Sequence, residues 1–431
     1  MSVLNTMSAT EAAAAIAARE ISSVELVEAC LTQIEKREPI VGAWVCFDRE
    51  QALRAARECD ATPPKGLLHG IPIGIKDNID TRNFPTEYGS RIYSGHQPQR
   101  DAACIGLATR AGGIIMGKTV TTEFAMFEPN KTANPLNPSH TPGGSSSGSA
   151  AAVADFQVPI ALATQSAGSI IRPSAYCGVI GYKPSLNTFA PDGIKPIGAS
   201  LDTLGAITRT IDDHLLMWSV LQGMQSVQAP PVPARLRVGM CRTPFWHQAA
   251  PEQRTALERA GARLSRENIE VEEVELPAWF DSLNDLHGQV MAYEVARNHA
   301  FEFDAARRDL LGMRTRSQFE LGWKLLPEDY LKARAVLHRA RNEFDVFCKD
   351  FHVMMVPAAP GEAPLIQSTG DPIFNSIWTL LGVPALTLPV GLGKNGLPVA
   401  VQFVSGMDTD LFLLAACRKM EALFKEKMDC S

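Results

Sequence analysis

No run of eighteen apolar residues occurs in the 431-residue chain, so no stretch is long enough to span a bilayer as a helix. The opening, MSVLNTMSATEAAAAIAARE, lacks both a basic leader and a bulky apolar core, so no secretory signal is evident. Basic residues are the minority, 41 Lys and Arg against 47 Asp and Glu. The resulting net charge of −6 leaves no footprint for nucleic acid or an anionic membrane. C-x-x-C pairs are missing although nine cysteines run from Cys30 to Cys430. An odd, dispersed set of this kind reads as reduced thiols in a cytoplasmic protein. The nine histidines show no H-E-x-x-H or related spacing, so a metal site has no support. What remains is ordinary for a globular protein, 45% hydrophobic and 20% charged.

Against that background one stretch stands out, Thr141 to Pro184, TPGGSSSGSAAAVADFQVPIALATQSAGSIIRPSAYCGVIGYKP. Six serines fall within the twenty-five positions from Ser145 to Ser169, among glycines and alanines and almost no charge. Glycine allows close backbone approach, and small side chains fit where larger ones clash. A Gly/Ser tether is the bland reading, but Ala150–Val153 and Val158–Ala163 are core-type residues that a tether has no use for. The expected layout is a helix from Ser149, a strand over Val158–Ala163, and a turn of small residues at Thr164–Pro173. Such a turn can present consecutive N–H groups as an anion nest, with Ser169 at its end. A tight turn with a capping serine explains that decapeptide alone equally well.

Upstream, Ile71, Ile73 and Ile75 alternate with Pro72, Gly74 and Lys76, the period of a strand. Lys76 faces away from the isoleucines, and it either pairs with Asp77 or Asp80 or is desolvated into a neutral base. Two decoys sit nearby. Gly112–Thr119 matches the phosphate-loop pattern G-x-x-x-x-G-K-[ST], yet bulky Ile114 to Met116 occupy the supposed loop, so a buried strand is the better account. Gly144–Gly148 matches G-x-S-x-G around Ser146, but loop formers rather than a strand precede it. Ser8–Glu11 and Ser22–Glu25 fit capping boxes opening two helices. Gln225–Pro233 reads as a Pro-rich surface connection, and Asp285–Phe351 as mainly helical.

Three pieces in order, Lys76 in GIPIGIKDNI, then GGSSSGSAAAVA, then AGSIIRPSAYCGVIGYKPS, resemble the amidase signature family. The likeness continues through Gly117–Thr119 with Glu123–Ala125, Ser200–Arg209, Gly382–Pro389 and Gly396–Gln402. It spans nearly the whole chain outside residues 225–350.

The resemblance implies an α/β fold, a mixed central β-sheet covered by helices on both faces. One large domain over residues 1–431 would hold the signature core near 65–215 and a helical region near 280–350 walling a substrate funnel. It also implies a Ser–cis-Ser–Lys triad: Ser169 as nucleophile, Ser145 as relay and Lys76 as neutral base. The N–H groups of Ser166, Ala167, Gly168 and Ser169 would form the oxyanion hole, with Ser146 a secondary participant. The implied activity is hydrolysis of a linear carboxylic amide, or a carbamate or ester, through an acyl-enzyme. The partner would be a small-molecule amide, without metal or organic cofactor, and a homodimer is compatible with this. The alternatives are the glutaminase-type A subunit of a tRNA-dependent amidotransferase, which needs a partner chain, and a non-catalytic binding module.

Three positions depart from the family pattern. Gln165 stands where most relatives carry an acidic residue, Ala167 replaces a glycine, and Arg172 lies one place late, leaving Ile171 in the arginine's position. These put the polar support of the site in question and favour a free-standing amidase.

Overall fold

The computed structural model describes residues 4–226, 229–267 and 269–425. Two positions of the Pro-rich connection, 227 and 228, and Cys430 lie outside the described residues.

Among the described residues eleven strands form one sheet: β1 Trp44–Phe47, β2 Pro72–Lys76, β3 Ile114–Thr119, β4 Ile160–Gln165, β5 Ile180–Lys183, β6 Thr203–Thr208, β7 Arg237–Met240, β8 Glu270–Glu273, β9 Val353–Pro357, β10 Ala385–Leu392 and β11 Pro398–Val404. Their spatial order is β1-β3-β2-β4-β6-β5-β10-β11-β9-β7-β8. Pairing is mixed: β2 runs parallel to β3 and β4, β7 parallel to β8 and β9, and the remaining neighbours are antiparallel.

The helices are α1 Ala9–Ala17, α2 Ser23–Val41, α3 Arg49–Asp60, α4 Ala103–Arg110, α5 Ser147–Ala154, α6 Ile171–Cys177, α7 Ile211–Leu221, α8 Pro251–Ser265, α9 Leu283–Asn298, α10 Met313–Lys324, α11 Pro327–Phe347, α12 Ser376–Leu381 and α13 Asp410–Lys425. Both capping boxes form, at Ser8 with Glu11 and Ser22 with Glu25, and open α1 and α2. The phosphate-loop decoy is resolved as strand: Gly117, Lys118 and Thr119 belong to β3. Lys118 is buried, its amine on Thr86 Oγ1 at 2.6 Å and 3.7 Å from Asp77.

Alternation along the strands shows why helices cover both faces. Val353 and Met355 of β9 point into one core with α8 and α13, while Met354 and Val356 point into another with α9, α11 and α12. Interior strands covered on both sides must be apolar throughout. β2 follows this as far as Ile75 and breaks it at Lys76, yet all five positions are buried. A lysine there has no water to reach.

Candidate active site

The parallel pair β2 and β4, in register at Ile75 and Leu162, brings Lys76 and the start of the Ser166–Ser169 turn to the same edge of the core. The lysine is fully buried and its amine has three partners: Ser145 Oγ at 2.7 Å, Thr164 Oγ1 at 2.9 Å and Thr164 O at 3.3 Å. Neither flanking carboxylate takes it. Asp77 lies against Lys118, and Asp80 accepts the Tyr88 hydroxyl at 2.7 Å. Burial holds the Lys76 amine well below the usual lysine range, opposed only by the charge of Asp202.

The serine stretch folds around these groups. Gly143 takes φ +87°, which a side chain rarely adopts, and the Gly144–Ser145 peptide is cis. Three further serines donate to backbone carbonyls. Ser147 Oγ donates to Gly143 O at 2.7 Å, Ser149 Oγ to Leu162 O at 3.2 Å, and Ser146 Oγ to Thr164 O at 3.2 Å. The Ser146 N–H also donates to Ser169 O at 3.4 Å, which ties the cis-serine segment to the turn. The Ser169 hydroxyl itself has no hydrogen bond among the described residues.

The Ser166–Ser169 turn leads from β4 into α6. Among the described residues, its four N–H groups donate to no other group of the chain. Gly168 packs so closely on Asn375 that a Cβ would fall 2.5 Å from Asn375 Oδ1, so only glycine fits. Ser166 Oγ donates to Asp202 Oδ1 at 2.5 Å, and the other Asp202 oxygen accepts the N–H groups of Ile197 and Gly198 at 2.7 and 3.0 Å. Burial pushes the Asp202 carboxyl up to about 6. A cavity of about 250 Å³ opens beside Asn78, Thr164, Ser166, Lys195 and Asp202.

The departures acquire definite tasks. Gln165 Oε1 accepts the N–H groups of Ile170 and Ile171 at 2.7 and 3.0 Å, and its Nε2 donates to Thr379 Oγ1 at 3.0 Å. A neutral amide thus closes the start of α6 where a carboxylate could accept but not donate. Arg172 is buried and donates from Nη2 to Gly144 O at 2.7 Å, holding the peptide that precedes Ser145. Ala167 keeps φ negative. Thr164, Asn78 and Asp202 were within reach of sequence reasoning, since each lies in a quoted motif. His287, Asn375 and Thr379 were not.

The aromatics of the helical region mostly pack. Phe319 is buried against Phe124 and His299, and Tyr293 stacks on Tyr330 at 4.1 Å. Among the described residues, no group of three or more His, Cys, Asp or Glu is placed to hold a metal ion. No helix among them is long and apolar enough to cross a membrane.

One mixed sheet thus carries a buried lysine, a cis-serine and a small-residue turn at a single site. The family model described as Amidase matches residues 25–414, and the chain belongs to that family, whose members cleave amide C–N bonds. Similar curated proteins include the glutamyl-tRNA(Gln) amidotransferase A subunit of Lachnospira eligens, 32% identical with 94% of this chain and 95% of that protein covered. The corresponding A subunit of Chloroflexus aggregans is 33% identical, with 94% and 93% covered. Among solved structures, a crystal structure of an amidase aligns with TM-score 0.89 at 26% identity, covering 97% of this chain and all of that one. The peptide amidase of Stenotrophomonas maltophilia aligns with TM-score 0.83 at 26% identity, covering 97% of each.

Proposed function

We propose that this chain hydrolyses a carboxamide through an acyl-enzyme on Ser169, with Ser145 relaying a proton to Lys76. The observation that carries the reading is a fully buried lysine with no carboxylate among the described residues in contact and its amine 2.7 Å from the Ser145 hydroxyl. A neutral amine has two N–H donors and one lone pair. In the neutral state Thr164 O and Thr164 Oγ1, at 3.3 and 2.9 Å, can take those two donors, and the lone pair then faces the Ser145 hydroxyl at 2.7 Å. An ammonium has no lone pair, and burial without a carboxylate partner disfavours it.

In the proposed reaction Ser169 Oγ attacks the amide carbon as its proton passes to Ser145 Oγ, whose own proton moves to Lys76 Nζ. The C–O bond forms, and the carbonyl oxygen takes up charge facing the N–H groups of Ser166, Ala167, Gly168 and Ser169. Collapse breaks the C–N bond, and Lys76 returns a proton through Ser145 to the leaving nitrogen. Water repeats the sequence on the acyl-enzyme and releases the acid.

Two settings for this chemistry remain, and the curated relatives favour the second. The departures at Gln165, Ala167 and Arg172 had suggested a free-standing amidase. Their contacts are internal to the fold, which removes that ground. The relatives, each named as the A subunit of glutamyl-tRNA(Gln) amidotransferase and aligned over nearly its full length, support a glutaminase that works with a partner chain. The likeness to a peptide amidase supports the free-standing form less strongly, at 26% identity. Ammonia release from glutamine and from simple primary amides, measured with the chain alone and with co-purified partners, separates the two. Turnover of simple amides by the chain alone would sink the partnered reading, and a wild-type chain that no fluorophosphonate labels at Ser169 would sink the reaction itself.

A further inference from the structure

Resting on that reading, we infer that His287 on α9 and Thr379 on α12 are positioning residues that aim two donors of the oxyanion hole. A peptide unit is planar and trans, so its C=O and its N–H point in opposite directions. Whatever grips a carbonyl from outside therefore turns the next residue's N–H inward. Along the turn the carbonyls of Ser166, Ala167 and Gly168 are each gripped.

Gln165, whose carbonyl shares a peptide with the Ser166 N–H, is in register with Thr203 of β6. His287 Nε2–H donates to Ser166 O at 2.7 Å and so sets the Ala167 N–H. Thr379 Oγ1 donates to Ala167 O at 2.6 Å and sets the Gly168 N–H. The Arg172 N–H donates to Gly168 O at 3.0 Å within the first turn of α6, and sets that of Ser169. One of these three anchors belongs to the backbone of α6 itself. The other two are single side chains from 121 and 212 residues away.

Both anchors are built to hold one orientation. His287 is buried, and desolvation keeps its ring neutral; because a carbonyl only accepts, its proton resides on Nε2. Thr379 is buried and is itself fixed, accepting the Gln165 Nε2–H at 3.0 Å. Gln165 in turn holds the N–H groups of Ile170 and Ile171, so one chain of hydrogen bonds clamps the turn at both ends. Each acts through a peptide plane.

The test uses the full chain and a fluorophosphonate probe, with the labelling constants split into inactivation rate and probe affinity. Thr379→Val and His287→Leu are each expected to lower the inactivation rate about ten- to a hundredfold with affinity unchanged, somewhat less than outright loss of a hole donor. Thr379→Ser and His287→Gln, which keep a donor, are expected to recover most of it. Wild-type labelling rates in folded Val and Leu variants would overturn the inference.

Residue-resolved hydrogen exchange decides the same point without any probe. The Gly168 amide is expected to exchange faster only in Thr379→Val, and the Ala167 amide only in His287→Leu; unchanged exchange at both would also overturn it. Should wild type fail to label at Ser169, the functional reading falls while the exchange result still judges the anchors.

Discussion

The serine-rich stretch from Thr141 to Pro184 and the helical region near 280–350 contribute to the same site in opposite ways. The first carries its candidate chemistry in adjacent residues: a cis-serine, a small-residue turn and the proposed nucleophile lie within twenty-five positions. The second has no motif, an ordinary mix of charge and aromatics, and a packed interior where Phe280, Phe344 and Trp378 meet. Yet α9 places His287 on the turn, and α12, packed with α9 and α11, places Thr379 there. A reactive group must sit where the backbone is special, so it leaves a local trace. A group that merely holds a carbonyl needs only a donor of the right length, and almost any buried helix can supply one.

The sharpest way to break this contrast is to remove the proposed nucleophile. Ser169→Ala is expected to cut turnover by at least about 10⁴-fold and abolish fluorophosphonate labelling, with the fold unchanged by circular dichroism. Substantial residual turnover would move the chemistry out of the serine stretch. Lys76→Ala follows, with an expected loss of about 10²–10⁴-fold, the usual weight of a general base. Its pH profile carries the sign. Only the unprotonated amine accepts a proton, and burial lowers its pKa, so wild-type kcat/KM rises with pH as the lysine deprotonates. That limb should vanish in the variant; a profile that keeps it would assign the limb to another group.

The helical side is tested by Phe344→Ala on α11, whose ring lies 6.0 Å from Phe280 and 5.8 Å from Trp378. Loss of a buried phenylalanine costs about 3–5 kcal/mol, read as a lower urea midpoint. Because Trp378 precedes Thr379, turnover of the folded enzyme should also fall. A large stability loss with unchanged kcat would make the helices scaffold only.

The mildest effect is expected from Asp202→Asn. Above its own pKa of about 6 the carboxylate favours the charged lysine, so neutralising it should move the acid limb of the rate profile to lower pH. A shift to higher pH would show that the two groups are not coupled as described.

Much of the fold was legible because local rules coincided with the tertiary outcome. The capping boxes at Ser8 and Ser22, the isoleucine alternation before Lys76 and the apolar run of β4 each specify an element without help from elsewhere. Some boundaries shifted for identifiable reasons. β3 runs on through Gly117, Lys118 and Thr119 because its neighbours β1 and β2 pair with those residues. β5 and β6 escaped notice because they are short and rich in small or polar residues, and only pairing with β4 and β10 makes them strands.

By itself the sequence determined which residues could react: a lysine at the end of an apolar strand, and serines set among glycines where backbone can come close. Burial of that lysine, its contact with Ser145, and the distant side chains gripping the turn were decided only in three dimensions. The reason is physical. A residue's conformational preference is a local property of the chain, whereas desolvation and hydrogen-bond partnership depend on what other segments bring alongside, and no spacing within one segment encodes that.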